Sequence, residues 1–188
     1  MTTTTRGVGP IIVMGVAGCG KSTVGGDLAA SLHCPFLEGD KFHPPASIGK
    51  MSHGTPLEDE DRWPWLDALG RALGEATRAT GSAVAACSAL KRVYRDRLAA
   101  AAGMPIRFVH LTGSRELLAA RMAGRTDHFM PSTLLDSQLA TLEPLQPDEA
   151  GTALGVEQPP ALLLAAARQW LLGAVAAPAS AGVGHPPS

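Results

Sequence analysis

Residues 15–22 read GVAGCGKS, and the spacing G-x-x-x-x-G-K-S works only in one local setting. The loop must leave a buried strand and run into the first turn of a helix, because its chemistry depends on backbone N–H groups converging at a helix N-terminus. Both neighbours fit. PIIVMG (10–15) is a short apolar run suited to a buried parallel strand. KSTVGGDLAASLH (21–33) is helical, with apolar positions at Val24, Leu28 and Leu32. Gly15, Gly18 and Gly20 let the main chain curl around phosphate oxygens. Lys21 reaches the β and γ phosphates, and the Ser22 hydroxyl suits Mg²⁺. The segment from Gly15 through Val16, Ala17, Gly18, Cys19, Gly20, Lys21 and Ser22 to Thr23 is therefore the expected triphosphate cradle. It does not say what receives the phosphate.

The rest of the chain alternates in the same sense. Expected strands are PFLEGD (35–40), SAVAACS (82–88), IRFVHL (106–111) and TALGVE (152–157). Expected helices run from Glu60 to about Thr80, with Pro64 in the first turn, over LKRVYRDRLAAAA (90–102), from Ser114 to about Ala123, over 132–142 with Ser132 as cap, and over 159–174. Strands alternating with helices indicate an α/β fold, a three-layer α/β/α sandwich around a parallel sheet of about five strands. We expect one domain over 10–174, a flexible N-terminus over 1–9, a mobile lid at about 122–132, and a disordered tail over 175–188, where the composition becomes simple.

Composition removes several classes. The 188 residues are 45% hydrophobic and 18% charged, as in a globular domain. A net charge of −1 gives no reason to expect nucleic acid as a partner. Three cysteines without a Cys-x-x-Cys pair argue against a disulfide framework or zinc site and fit a reducing cytoplasm. VAGC (16–19) mimics a lipoprotein cleavage box, but the apolar stretch before it is short and broken by glycine. The apolar C-terminal segment from Ala161 is interrupted by Arg168 and Gln169, short of a membrane span. No membrane partner is expected. A regulatory GTPase would carry an Asn-Lys-x-Asp guanine reader, and this chain has no asparagine. A D-x-x-G match at Asp67–Gly70 falls inside a predicted helix.

A compact kinase with a lid is left, since transfer to an acceptor hydroxyl requires water to be excluded. ARMAGRTDHFMP (120–131) supplies Arg121 and Arg125 for the phosphates. DKFHPPASIGKMSH (40–53) follows the second strand, at the sheet edge where ligands of open α/β folds bind. Strand alternation would put Glu38 and Asp40 on one face, one to hold Mg²⁺ through water and the other to accept a hydrogen bond from the attacking hydroxyl. His43, Lys50 and His53 are donors suited to an anionic polyol. Pro44 and Pro45 stiffen the segment, and His53 is equally well an ordinary loop residue.

GVAGCGKST, EGDKFHPPASIGKMSHGTPLEDEDRWPWL, CSALKRVYRDRL and RTDHFMPSTLLDSQLATLE together resemble the gluconokinase family, small kinases related in fold to shikimate kinase. The resemblance covers about residues 10–172. It implies a phosphotransferase with an alcohol group as acceptor, making 6-phospho-D-gluconate from ATP and D-gluconate with Mg²⁺, and a cytoplasmic homodimer. By that resemblance Lys21, Asp40 and Arg125 are catalytic, Asp40 facing the 6-hydroxyl. Arg121 and Arg125 contact nucleotide, and Ser22 and Glu38 (through water) hold the metal. His43, Lys50, Arg62, Ser88, Lys91, Arg95 and His128 contact substrate, with Arg62 the candidate for the carboxylate. Two departures stand out: Ser47 replaces a frequent asparagine, and the tail after about Val175 has no counterpart. A shikimate-type kinase would show Asp-x-Asp and a glycine triplet where this chain has EGD and CSA. A nucleotide-binding regulator without turnover is the reading from another class, and nothing in the residues favours it.

Overall fold

The computed structural model describes residues 7–53, 55, 57–124 and 132–176. In chain order the elements are β1 (Gly9–Met14), α1 (Lys21–Ser31), β2 (Phe36–Glu38), a 3₁₀ turn (Gly39–Phe42), α2 (Pro45–Ser52), α3 (Asp59–Thr80), β3 (Ser82–Ala86), α4 (Arg92–Ala102), β4 (Arg107–Thr112), α5 (Arg115–Ala123), α6 (Ser132–Thr141), β5 (Gly151–Gly155) and α7 (Pro160–Ala176). The five strands form one sheet in the order β2-β3-β1-β4-β5, and every pairing is parallel.

Strand periodicity explains the layers. Ile11 and Val13 of β1 point to one face, where they meet Leu28 of α1, Leu118 of α5, Leu135 of α6 and Leu163 and Leu171 of α7. Ile12 and Met14 point to the other face and meet Trp65, Leu66, Leu69 and Leu73 of α3 and Leu98 of α4. Both sides of β1 are sealed, which is why the strand is a continuous apolar run and does not alternate. β1 lies between β3 and β4, so the strand order reverses beside it and a crevice opens at its carboxyl end. The phosphate loop leaves β1 at that point.

Several expectations need correction. β3 stops at Ala86, not residue 88, and β5 begins at Gly151 and ends at Gly155. α3 begins at Asp59, so Pro64 is its sixth residue and lies beyond the first turn; the Glu60 carbonyl loses its helical donor there. The N-terminal stretch is tied down from residue 7 onward. Val8 is buried, its N–H donates to Ser82 Oγ (2.8 Å), and the Gly9 N–H donates to the Gly81 carbonyl (3.1 Å). α7 continues through Ala176. The central part of the expected lid and the tail beyond Ala176 lie outside the described residues. No described helix is long and apolar enough to cross a membrane.

Candidate active site

The phosphate loop is built as the sequence requires. Gly15, Gly18 and Gly20 all have positive φ, and Gly20 is the left-handed residue from which α1 starts. At Gly18 (φ 81°) a Cβ would lie 2.9 Å from both the Leu118 carbonyl oxygen and Met122 Cγ. The loop therefore packs against α5 as well as turning sharply. Its start is pinned by the Gly15 N–H, which donates to the Ser88 carbonyl (3.3 Å). Lys21 Nζ folds back onto the Val16 carbonyl (3.1 Å), while Ser22 and Thr23 are exposed on the first turn of α1. Cys19 is buried, and burial, the largest of several influences, pushes its thiol up. That leaves it poorly nucleophilic.

The second half of the cleft differs from the sequence expectation. β2 ends at Glu38, and Asp40 belongs to the 3₁₀ turn that follows, so the two carboxylates are not alternate residues of one strand. The turn has a steric cause. Gly39 is pressed onto the Ala86 carbonyl so closely that any Cβ would collide with it. The Gly39 carbonyl in turn accepts a 2.7 Å hydrogen bond from Trp65 Nε1. Asp40 leaves this fixed point with its side chain exposed. The segment after it, to which the sequence assigned no element, contains α2, with Pro45 at the first helical position where its missing N–H costs nothing.

His43 stacks on Trp65 with ring centroids 4.0 Å apart and planes 17° from parallel. Burial draws the imidazole pKa below its ordinary value; Asp40 opposes this and Arg62 reinforces it. The ring is thus neutral at pH 7. Its Nδ1 and Arg62 Nε are buried side-chain nitrogens without a hydrogen-bond partner among the described residues. Arg62 donates from Nη2 to the Leu57 carbonyl (3.0 Å) and lies over the Tyr94 ring at 5.6 Å. Buried polar atoms are nearly always paired in folded proteins, so two orphans at one sheet edge mark a place where another molecule's oxygens belong. The charges of Lys21, Asp40 and Arg62 all reach Cys87, at the end of β3, whose thiol is pushed up to about 12, chiefly by burial. The Gly15 N–H meets Ser88 and Gly39 meets Ala86, so the phosphate loop, the 3₁₀ turn and, through Trp65, the start of α3 gather at the carboxyl end of β3.

Other predicted residues are already engaged. Lys50 Nζ is bound to the Asp61 carboxylate at 2.6 and 2.8 Å, and Lys91 Nζ to Asp59 at 3.0 and 2.9 Å. Tyr94 also donates to Asp59. These carboxylates, on the first turn of α3, hold the two lysines at the cleft border. Ser88 is half-buried beside the loop.

Arg95 is a correction. It does not face the cleft: its side chain is 1% exposed and its guanidinium grips Glu149 at 2.5 and 2.9 Å. Its remaining donors go to the carbonyls of Ala89, Leu90, Glu143 and Pro144. Ala89 has φ 46°, an unusual value for a residue with a side chain, and Arg95 fastens that strained peptide.

Arg121 donates to the Val156 carbonyl (2.7 Å), and its charge reaches Cys19 in the phosphate loop. Arg125 and His128 lie outside the described residues. A separate cavity of about 600 Å³, lined by His110, Thr112, Leu142 and Gln146 among others, lies against β4 and β5, away from the phosphate loop. Among the described residues no group of three or more His, Cys, Asp or Glu could hold a metal by itself.

Sequence reasoning missed Trp65, Asp59, Asp61, Tyr94 and Gln138. The tightly spaced acids of LEDEDRW were the available signal for Asp59 and Asp61.

Similarity to known proteins agrees with this geometry. A family profile described as "AAA domain" matches residues 11–145. The gluconokinase of Gluconobacter oxydans (strain 621H) is 48% identical over 82% of this chain and 86% of its own length. The thermosensitive gluconokinase of Escherichia coli (strain K12) is 45% identical over 73% of each chain. Among solved structures, a gluconokinase from Sinorhizobium meliloti 1021 superposes with a TM-score of 0.81 at 48% identity, covering 90% of this chain and 94% of that one. Shikimate kinase from Aquifex aeolicus shares the fold alone, with a TM-score of 0.54 at 18% identity. With that identity extending over most of its length, the chain belongs to the gluconokinase family.

Proposed function

We propose that this chain transfers the γ-phosphoryl group of ATP to the 6-hydroxyl of D-gluconate, releasing ADP and 6-phospho-D-gluconate. The observation that carries the reading is the pair of buried nitrogens without a hydrogen-bond partner among the described residues, His43 Nδ1 and Arg62 Nε, where the 3₁₀ turn meets the start of α3. Arg62 binds the gluconate carboxylate, and His43, stacked and neutral, bonds to a polyol hydroxyl. Asp40, exposed in the 3₁₀ turn, accepts a hydrogen bond from the 6-hydroxyl and aims it at the terminal phosphorus. Lys21 leaves the Val16 carbonyl to meet the β and γ phosphates, and Arg121 and Arg125 neutralise the remaining charge. The loose transition state of phosphoryl transfer asks mainly for this positioning and charge, and little for base strength.

Mg²⁺ fits the donors present. Ser22 presents a hydroxyl on the exposed first turn of α1, and Glu38 offers a carboxylate at the end of β2. Hard oxygen donors in small number, completed by phosphates and water, are what this ion takes. When bound it neutralises phosphate charge. Lys50, Lys91 and Ser88 line the acceptor side, and the family resemblance adds His128 as a substrate contact. The three free cysteines suit a reducing cytoplasm. The homodimer rests on the family resemblance and is checked by light scattering.

An assay coupling ADP release to D-gluconate, with shikimate and nucleoside monophosphates as comparison acceptors, tests the proposal. Turnover dependent on gluconate is expected. Turnover only with another acceptor, or none, overturns it.

A further inference from the structure

Leu135 and Leu139 of α6, with Leu142 just past its end, form an apolar stripe that packs into the core beside the phosphate loop. Gln138 is the polar member of that stripe, one turn after fully buried Leu135. Its side chain does not turn to solvent. Oε1 accepts a 2.7 Å hydrogen bond from the Ala17 N–H, across 121 residues of sequence. Ala17 lies between buried Val16 and left-handed Gly18, inside the loop that cradles the phosphates.

The donor settles which end of the amide faces the loop. A backbone N–H can only meet the carbonyl oxygen, so the Nε2 group, with two donors, points the other way. α6 is held at this position independently: Leu135 is buried and Arg115 of α5 grips Asp136 at 2.6 and 2.9 Å. α5 touches the same loop through the Leu118 carbonyl and Met122 at Gly18. The first half of the loop is therefore braced by two helices.

We infer that Gln138 is a positioning residue for the phosphate loop, fixing the Ala17 peptide so that the N–H groups after it converge on the triphosphate. This rests on the loop's binding ATP, which the wild-type titration below checks separately. Removing the acceptor would leave the part-buried Ala17 N–H unpaired and let the loop's first half turn, so nucleotide contacts weaken while the acceptor side, built by the 3₁₀ turn and α3, is untouched.

The test uses the full chain, calorimetric titration with ADP and steady-state kinetics. Gln138→Leu keeps the bulk and loses the acceptor; ADP affinity should fall and the KM for ATP should rise, each about tenfold, the size of one lost buried hydrogen bond. The KM for gluconate should move less than about twofold. Gln138→Glu keeps the acceptor but sets a carboxylate near the phosphates. Its melting temperature should match wild type while ADP affinity falls, and salt should shrink the loss. Wild-type ADP affinity in both variants overturns the inference. So does a parallel rise in the two KM values, which would mean general disturbance of the fold. Failure of wild type to bind ADP would instead strike the reading of the loop itself.

Discussion

The His43 imidazole lies flat against the Trp65 indole at 4.0 Å, and the same indole donates from Nε1 to the carbonyl of Gly39, the residue before Asp40. One buried side chain thus sets the direction of two acceptor-side groups. Trp65→Phe keeps an aromatic face for His43 and deletes the donor, so the buried Gly39 carbonyl loses its indole hydrogen bond. The kcat/KM for gluconate should fall about tenfold and the KM for ATP should stay, because one lost buried hydrogen bond costs roughly 0.5–1.5 kcal/mol locally. Steady-state kinetics with each substrate varied in turn decides it. Equal losses toward both substrates would deny Trp65 this selective role.

Asp40 is the carboxylate we propose for the attacking hydroxyl. Asp40→Ala should lower kcat on the order of 10²-fold or more if it acts as general base, with nucleotide affinity kept. A variant with near-normal kcat would take Asp40 out of the mechanism.

Arg62 offers a fork whose Nε has no partner among the described residues. Arg62→Ala should chiefly raise the KM for gluconate and leave that for ATP alone. Arg62→Lys should rescue little, since a point charge cannot reproduce two parallel hydrogen bonds to a carboxylate. An unchanged gluconate KM in the alanine variant would move the carboxylate site elsewhere.

Local rules made the phosphate half of this cleft legible: a glycine loop, an apolar strand and a helix start are adjacent in sequence, and each dictates the next. The sheet and its helices were readable for the same reason, from short apolar runs and period 3.6 patterns. The acceptor half depends on contacts between distant residues. Alternation would have put Asp40 on the face of Glu38, but the close approach of Gly39 to Ala86 and the bond from Trp65, 26 residues from Gly39 in sequence, turn the chain first. α2 was hidden because prolines and glycine near it read as loop, although Pro45 is a good first helical residue. Arg95 and Lys91 sit four apart on adjoining turns, and no sequence pattern tells that one meets Asp59 at the cleft and the other a glutamate 54 residues on.

That last pair yields a prediction about stability. Arg95 and Glu149 are 1% and 6% exposed, and the arginine also satisfies four carbonyls. Breaking such a buried pair from one side leaves a charge without its partner, at a cost on the order of 3–5 kcal/mol. Arg95→Met should therefore lower the melting temperature by roughly 6–20 °C for a chain of this size. Glu149→Gln should lower it in the same direction, and the double variant should be less destabilised than the two singles added together, since both remove one interaction. The pH dependence has a definite sign. Burial alone would raise the Glu149 pKa, but the hydrogen bonds from Arg95 and the Gln146 N–H outweigh it, and the folded value lies below the ordinary one of 4.5. The unfolded chain thus takes up this proton at higher pH than the folded one. The stabilisation is complete above the ordinary glutamate value and is lost as pH falls from there through the folded value. Denaturant melts of wild type between pH 6 and 3 should show this acid decline, and Glu149→Gln should flatten it. If Arg95→Met instead left the melting temperature unchanged and raised the KM for gluconate, Arg95 would belong to the cleft after all.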